Sequence, residues 1–564
     1  MKHKVKFKEA ISSSKCTLIL YALLYINFTK FLIDGMFGFV LDTAVQIKAG
    51  QWMIDNKSLI NGDMFSWHEG LNWVPHEQLW YLLIGAAYNI GGIIGICLIG
   101  AVFNLTTITF LTKTARADKD VKPSWFSVLL AVMAAASATI YFPSQEIRPQ
   151  VFSTAALAIL IYYLVKDSKI ALRIFPIITW LTALMHGGIL KVFFIMMALW
   201  LIVELICDKN IKTTIKKALW ILAGFVTSIL TPNLFDTWTY AKKQEMYPEV
   251  RNHIGEWTAG QMDMKLLFIV LFVTIGIVLD ERWKDKNKTF MFESAAFFMF
   301  AVSTVIYVRM QLYCAMFIVI MMPIAIENIA KYLEGFLSGR AETVKDKCKE
   351  VVLEQKKYFY TIANLILIVL LPINWINGFN KLPENTLNSA AEATGYDNNV
   401  VDFIKEHGYE KIYNDYNIGQ WLLFNDIKVH IDNRLDPYLK SYSGEDNIHN
   451  TILIDNLSHL NDFYDKYHPD AIVICYETYG EEADNTTNSG EIYPHMNPFA
   501  TYVEQIDKYE SNRYVKVYDN TCEVKDTSVQ MRWLIYECKY SEKESVTDPV
   551  TSEEQKGSKE TIDE

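Results

Sequence analysis

The chain has 564 residues, 51% of them hydrophobic and 21% charged, and a formal net charge of −11 at pH 7. The charge is split: residues 1–380 hold 37 Lys+Arg against 28 Asp+Glu (+9), and residues 381–564 hold 16 against 36 (−20). A slightly basic, apolar part therefore precedes a strongly acidic soluble part, and that balance argues against nucleic acid, which needs clustered positive charge. The chain also lacks a P-loop, a GxGxxG after a strand, a GxSxG and an HExxH, so soluble nucleotide-driven chemistry has no support.

In chain order, residues 1–15 form a basic segment. The apolar run Cys16–Asp34 has no small-residue cleavage site and reads as an uncleaved first helix. An outer loop over residues 35–76 follows. Leu41, Val45, Ala49 and Trp52 recur at helical spacing, which predicts a helix lying in the membrane interface with its apolar side down. NGDMFS reads as a turn, and WHEGLNW as a loop returning to the membrane at Pro75.

A bilayer crossing needs about 20 mostly apolar residues. Candidate spans are 16–34, 77–113, 125–142, 150–165, 174–189, 190–207, 218–231, 264–280, 290–307, 309–326 and 358–377. Gly91–Gly92 divides the long run 77–113. The loops 113–122, 166–173, 208–217, 280–288 and 331–357 carry 4, 3, 4, 4 and 7 Lys or Arg. They share one side if 77–113 makes one net crossing. The positive-inside bias then predicts about eleven crossings in the plasma membrane, with the N-terminus inside and the C-terminal part outside. The loop 40–81, Arg148, His186, the segment 232–260 and Arg309 all fall on the outer side, where polar groups near membrane depth mark a cavity or a partner. Singly, Arg309 and Lys191 have a simpler reading as snorkelling cations, and His186, beside Gly187–Gly188, as a packed histidine at a close turn.

Residues 16–377 thus form a polytopic helical domain, and 378–400 an Asn-rich linker. Residues 401–540 read as a small extracytoplasmic α/β domain. Its helices are expected at 400–408 and 457–467, and its strands at 411–415, 427–432, 471–476, 514–518 and 530–538. This strand–helix pattern is expected to fold without the membrane part. The tail 541–564 is polar and acidic and is expected to be disordered. The eight cysteines show no metal spacing. Cys522 and Cys538 are the pair that an extracytoplasmic site would let oxidise.

The loop reads D-x7-G-x-W (Asp42, Gly50, Trp52), then D-x-F-S (Asp63, Phe65, Ser66), then W-x-x-H-E-x-L (Trp73, His76, Glu77, Leu79). This resembles bacterial membrane proteins of the GT-C glycosyltransferase superfamily, which includes oligosaccharyltransferases, protein O-mannosyltransferases and lipid A aminoarabinose transferases. Arg148-Pro149-Gln150, His186-Gly187-Gly188, Glu256-Trp257 and Asp432-Asn433-Arg434 extend the resemblance, which covers roughly residues 16–440. Gln46 stands where a His is expected, and Pro232-Asn233 where Asn-Pro is expected.

The resemblance implies a donor sugar on a polyprenyl phosphate, an extracytoplasmic glycan or polymer acceptor, membrane lipids as surroundings, and an acidic residue of the first loop that serves the acceptor. By order that residue is Asp42. A carboxylate accepting the proton of a hydroxyl assists its attack at the anomeric carbon, in an inverting transfer. His76 and Glu77 are candidates to orient the acceptor, act as acid or hold a divalent cation. Asp63, Glu69 and Glu256 are further acceptor or metal candidates. Mg or Mn remains open as the cation, because these carboxylates and one His fit no fixed cage. Arg148, His186, Lys191 and Arg309 are candidates for the donor phosphate. Asp432 and Arg434 read as an internal salt bridge or as an acceptor contact from above. Two rival readings are a non-catalytic scaffold or lipid-binding protein of the same fold, and a transporter or lipid flippase.

Overall fold

The computed structural model of the chain describes residues 43–117, 123–139, 141–142, 147–239, 262–338, 386–434, 436–444, 457–479, 498–524 and 529–540. Its first part is a helical bundle: α1 (Ala44–Asn56), α2 (Gln78–Ala115), α3 (Trp125–Ala138), α4 (Gln150–Lys166), α5 (Ser168–Met185), α6 (Leu190–Asp208), α7 (Ile211–Ile229), α8 (Met264–Val278), α9 (Lys288–Ile306) and α10 (Gln311–Ser338). Nine of the eleven candidate spans coincide with α2–α10; the first and last lie outside the described residues. Five described helices are long and apolar enough to cross a bilayer: Gln78–Ala115, Ser168–Met185, Gly187–Asp208, Lys288–Ile306 and Val308–Leu333.

Helix α2 has 38 residues, about 57 Å of helix against a hydrocarbon core of about 30 Å. It breaks at Gly92 (φ 58°, ψ −146°), a backbone conformation that glycine adopts without a Cβ clash. The segment after the break, Ile93–Ala115, is about 34 Å long. It packs on α4 through Phe103–Phe152 (ring centroids 5.6 Å apart) and Thr107–Thr154 (3.3 Å). The segment before the break packs on α1 and on the C-terminal domain, where the Tyr88 hydroxyl accepts from the Leu387 N–H at 3.2 Å.

The bundle has two distinct ends. At one, Lys288 pairs with Asp208 at 2.5 Å and Arg282 with Asp280 at 2.8 Å, while Asn328 donates to Asp280 at 2.7 Å. These contacts gather loops of the basic set. At the other, Thr43 donates to the Ile147 carbonyl (2.8 Å), Thr139 to Gln311 (3.0 Å) and Asn233 to the Pro75 carbonyl (2.8 Å). Among these contacts, those of the basic loops and those of the site-bearing loops involve separate sets of residues.

The C-terminal domain contains α11 (Leu387–Glu392), α12 (Asn398–His407), β1 (Ile412–Asn414), α13 (Tyr416–Phe424), α14 (Leu457–Tyr467), β2 (Ala471–Tyr479), α15 (Pro498–Tyr509), β3 (Tyr514–Glu523) and β4 (Val529–Cys538). The sheet order is β1-β2-β4-β3, with β1 parallel to β2 and the other pairs antiparallel. Cys522 faces Met531 and Cys538 faces Tyr514. The two cysteines thus sit at opposite ends of the β3–β4 ladder, and both are free thiols.

Three expectations change. The segment 427–432 is buried but is not a strand of the sheet. Val429 instead makes a parallel bridge to Ser66 of the first loop, 363 positions upstream. Helix α1 is not laid with one face on lipid: it is wedged between α2 and α13 and buries Ala44, Val45, Ile47, Ala49, Gly50 and Met53. A methyl group at Gly50 would lie 2.9 Å from Gly85 Cα and closer still to the Tyr81 carbonyl, so glycine is what lets the two helices cross. Finally, the C-terminal domain is not closed on itself. Trp73, Trp80 and Ile84 belong to the same apolar core as Val400, Trp421 and Trp533.

Candidate functional site

The loop between α1 and α2 folds back through its own polar groups. Asp63 accepts the backbone N–H groups of Phe65 (3.3 Å) and Ser66 (3.0 Å) and pairs with Arg434. This is the short Asp-led turn that a carboxylate stabilises by standing in for backbone acceptors. Arg434 also grips Asp432 through Nε (2.8 Å) and Nη2 (2.6 Å), and Tyr438 donates to Asp432 at 2.7 Å. The guanidinium lies 4.6 Å from the Trp73 ring centroid and 5.2 Å from that of Phe65. The Asp63, Asp432 and Arg434 side chains are at most 3% exposed. Asp432–Arg434 is therefore the internal salt bridge. Asp63, read from sequence as an acceptor or metal candidate, is instead the third member of this lock: its oxygens are committed to the turn and to Arg434.

The lock sets the position of the next residues. Val74 donates its N–H to Asp436 Oδ2 at 3.2 Å, and Asn233 holds the Pro75 carbonyl. His76 and Glu77 follow at the start of α2, 3.5 Å apart and both largely buried. Burial pulls the His76 imidazole down, but Glu77 and Asp436 together outweigh it, and its pKa ends above the ordinary histidine value. Burial pushes the Asp436 carboxyl up to about 7, against the opposing pull of His76.

Across from them, α5 ends at His186, whose Nδ1 lies 2.6 Å from Ser153 Oγ on α4. Glu77, Arg309 and His76 are the charged groups close enough to act on His186. Three chain segments, the start of α2, the end of α5 and the turn before α10, thus bring His76, Glu77, His186 and Arg309 toward one another at one end of the bundle. Arg148 is half-buried in the turn entering α4, next to Ile147, whose carbonyl holds Thr43. Glu69 and Lys191 are exposed. Asp42 and Glu256 lie outside the described residues.

Sequence reasoning missed Asp436 and Ser153. Asp436 follows the Asp432–Arg434 motif by two residues, and Ser153 lies five after Arg148. Only the fold shows that each turns toward a site histidine. Gln46, which departs from the family pattern, accepts the Trp80 indole N–H at 2.6 Å. Among the described residues no three His, Cys, Asp or Glu side chains gather to hold a metal. The His76–Glu77 pair alone does not make a cation cage.

Comparison with known proteins adds the following. The model of the EpsG family matches residues 59–335, a little under half of the chain. No match was found among curated protein sequences. The structure is similar to the oligosaccharyltransferase of Archaeoglobus fulgidus in its apo form, with 9% identity and a TM-score of 0.51 over 82% of this chain and 70% of that one. It is similar to the same organism's oligosaccharyltransferase AglB in complex with an inhibitory peptide and a dolichol-phosphate (10% identity, TM-score 0.50, 82% of this chain and 69% of that one). ArnT from Cupriavidus metallidurans bound to undecaprenyl phosphate also aligns, with 10% identity and a TM-score of 0.46, over 92% of this chain and 98% of that one. The chain therefore shares the fold of these archaeal oligosaccharyltransferase structures, here a helical bundle followed by a C-terminal α/β domain.

Proposed function

We propose that this protein is a membrane glycosyltransferase that moves a sugar from a polyprenyl-phosphate carrier to a glycan or polymer acceptor outside the plasma membrane. The observation that carries the reading is the meeting of His76–Glu77, His186 and Arg309 at one end of a GT-C bundle, under a C-terminal domain locked onto the same loop. The likeness to a fold that holds a dolichol-phosphate in the archaeal enzyme supports the donor class.

In this reading an acceptor hydroxyl attacks the anomeric carbon and Asp42 takes its proton. The bond from that carbon to the phosphate oxygen breaks as the new glycosidic bond forms, with inversion. Arg309 and Arg148 stabilise the negative charge that grows on the leaving polyprenyl phosphate. His186, its ring oriented by Ser153, donates a hydrogen bond to the same group. His76, protonated beside Glu77, orients the acceptor. The C-terminal domain stands outside the cell, over this end of the bundle.

The test is transfer of labelled sugar from a purified polyprenyl-phosphate donor by the full chain in detergent. Asp42→Asn keeps the shape and removes the base, and is expected to lower the rate about 10²–10⁴-fold. Arg148→Ala is expected to weaken donor binding and slow turnover together. Asp285→Asn, in an exposed loop at the opposite end, should match wild type. Near-normal transfer by well-folded Asp42→Asn protein would remove Asp42 as the base.

A further inference from the structure

A second feature lies away from the His76–Glu77 cluster. A cleft of about 560 Å³ opens between the C-terminal half of α1, the first half of α2 and the C-terminal domain. That is within the range of small-ligand sites, about 300–1,000 Å³. It contains Trp52, the tryptophan of the D-x7-G-x-W pattern, which the catalytic reading leaves without a role. Trp52 is half-buried and shares its wall with Met64 and Phe65. The polar lining is amide-rich: Gln51, Asn56 and Asn89, with Gln51 donating to Asn89 at 2.8 Å. Lys48 pairs with Asp426 at 2.5 Å across the cleft, joining α1 to the C-terminal domain. Lys428 and Asp55 complete the charged lining. Two cations and two carboxylates leave it with no net charge.

The walls are fixed. The Gly50–Gly85 crossing sets the spacing of α1 and α2, and Phe65 is held from behind by the Arg434 guanidinium. An aromatic face beside amides and balanced charges, partly open to water, matches a neutral polyhydroxylated ligand. Its C–H faces stack on the indole and its hydroxyls bond to amides. It does not match an anion, which needs surplus positive charge. The cleft also has a direction. Along α1, Trp52 lies about 14 Å from Thr43, the residue that follows Asp42.

We propose that this cleft is a glycan-binding subsite that holds the body of a neutral or acetamido oligosaccharide acceptor, with Trp52 as the stacking platform and Gln51, Asn56 and Asn89 as hydroxyl partners. The proposal rests on the transferase reading for the word acceptor. It implies that the acceptor is a chain of sugars.

The test uses the full chain in lipid nanodiscs and short cello-, malto- and chito-oligosaccharides, with oligogalacturonate of equal length as the anionic probe. At least one neutral or acetamido probe should bind. Trp52→Ala should weaken it about tenfold, and Trp52→Phe, which keeps an aromatic face, should restore most of the loss. In the transfer assay Trp52→Ala should raise the acceptor KM with kcat little changed, the mark of lost ground-state binding. Binding of no neutral probe, binding indifferent to Trp52→Ala, or preference for the uronate would overturn the proposal. The two readings fail separately. Transfer that ignores Trp52 removes the subsite and leaves the transferase. Trp52-dependent binding by a wild-type protein that transfers nothing leaves the subsite and removes the transferase.

Discussion

Two carboxylates, one local and one distant, shift His76 toward its protonated form against the pull of burial. Glu77 is its chain neighbour, and Asp436 comes from the C-terminal domain through the Val74 N–H. Burial works against the charge, so removing Glu77's charge should let burial prevail. Glu77→Gln keeps the volume and lowers the His76 pKa. The sign follows from the direction of the shift. A histidine whose folded pKa is raised contributes its stabilisation fully below the ordinary value of about 6.5 and loses it as pH rises through the folded value. If protonated His76 orients the acceptor, the alkaline limb of the kcat/KM profile should move to lower pH in Glu77→Gln. Transfer measured from pH 5 to 9 in both proteins checks this, and coincident alkaline limbs would take the protonated His76 out of the reaction. The pair was legible in the sequence because the two residues are adjacent. Asp436 was not, because its approach depends on a contact between segments 362 positions apart.

At the scale of elements, what the sequence reported depended on whether an element's neighbours were local. Helix α14 occupies the predicted residues 457–467, since one apolar stripe over three turns fixes both the helix and its buried face. The break in α2 was legible from Gly91–Gly92, because only the backbone at that point matters. The segment 427–432 was read as buried, which it is, but burial does not name the partner, and the partner is Ser66 rather than β1. Helix α1 showed one apolar face by spacing. Its second covered face comes from α13, whose arrival periodicity does not encode. Gly50 carries the consequence: Gly50→Ala places a methyl against the Tyr81 backbone, which has no rotamer by which to yield. Overpacking of this kind costs about 1–3 kcal/mol. The expected result is a lower midpoint of thermal unfolding in detergent, with loss of transfer as α1 shifts. Gly70→Ala serves as the comparison: its φ is +75° but nothing crowds its Cβ position, so its cost should be confined to backbone strain. Equal midpoints for Gly50→Ala and wild type would mean that the crossing is not tight.

At the scale of the molecule, the bundle and the C-terminal domain share one core and one set of polar locks through the loop 58–76. Ser66 donates to the Val429 carbonyl at 2.8 Å, and the Trp67 indole to the Ile412 carbonyl at 2.9 Å. His68 meets His430 at 2.6 Å, and Asp63 joins Arg434 and Asp432. Without the loop, Arg434 loses one of its two carboxylates and its aromatic cover. The Val429 N–H and carbonyl lose their partners, and His430, fully buried, loses His68. Breaking a buried ion pair by removing one partner costs about 3–5 kcal/mol, a large part of the roughly 5–15 kcal/mol by which domains are stable. The strand–helix pattern of 401–540 suggested a domain able to fold alone; the packing predicts the reverse. A secreted fragment 386–540 should show no cooperative thermal transition. The same fragment tethered by a flexible Gly/Ser linker to residues 58–76 should regain one. Adding Asp63→Ala to the tethered form should remove much of that gain, because it again leaves Arg434 with Asp432 as its one carboxylate of the lock. Circular dichroism melts of the three proteins decide the matter. A fragment 386–540 that melts as sharply as the tethered form would show that the loop only docks on a finished domain, and that the shared core is an interface rather than a condition of folding.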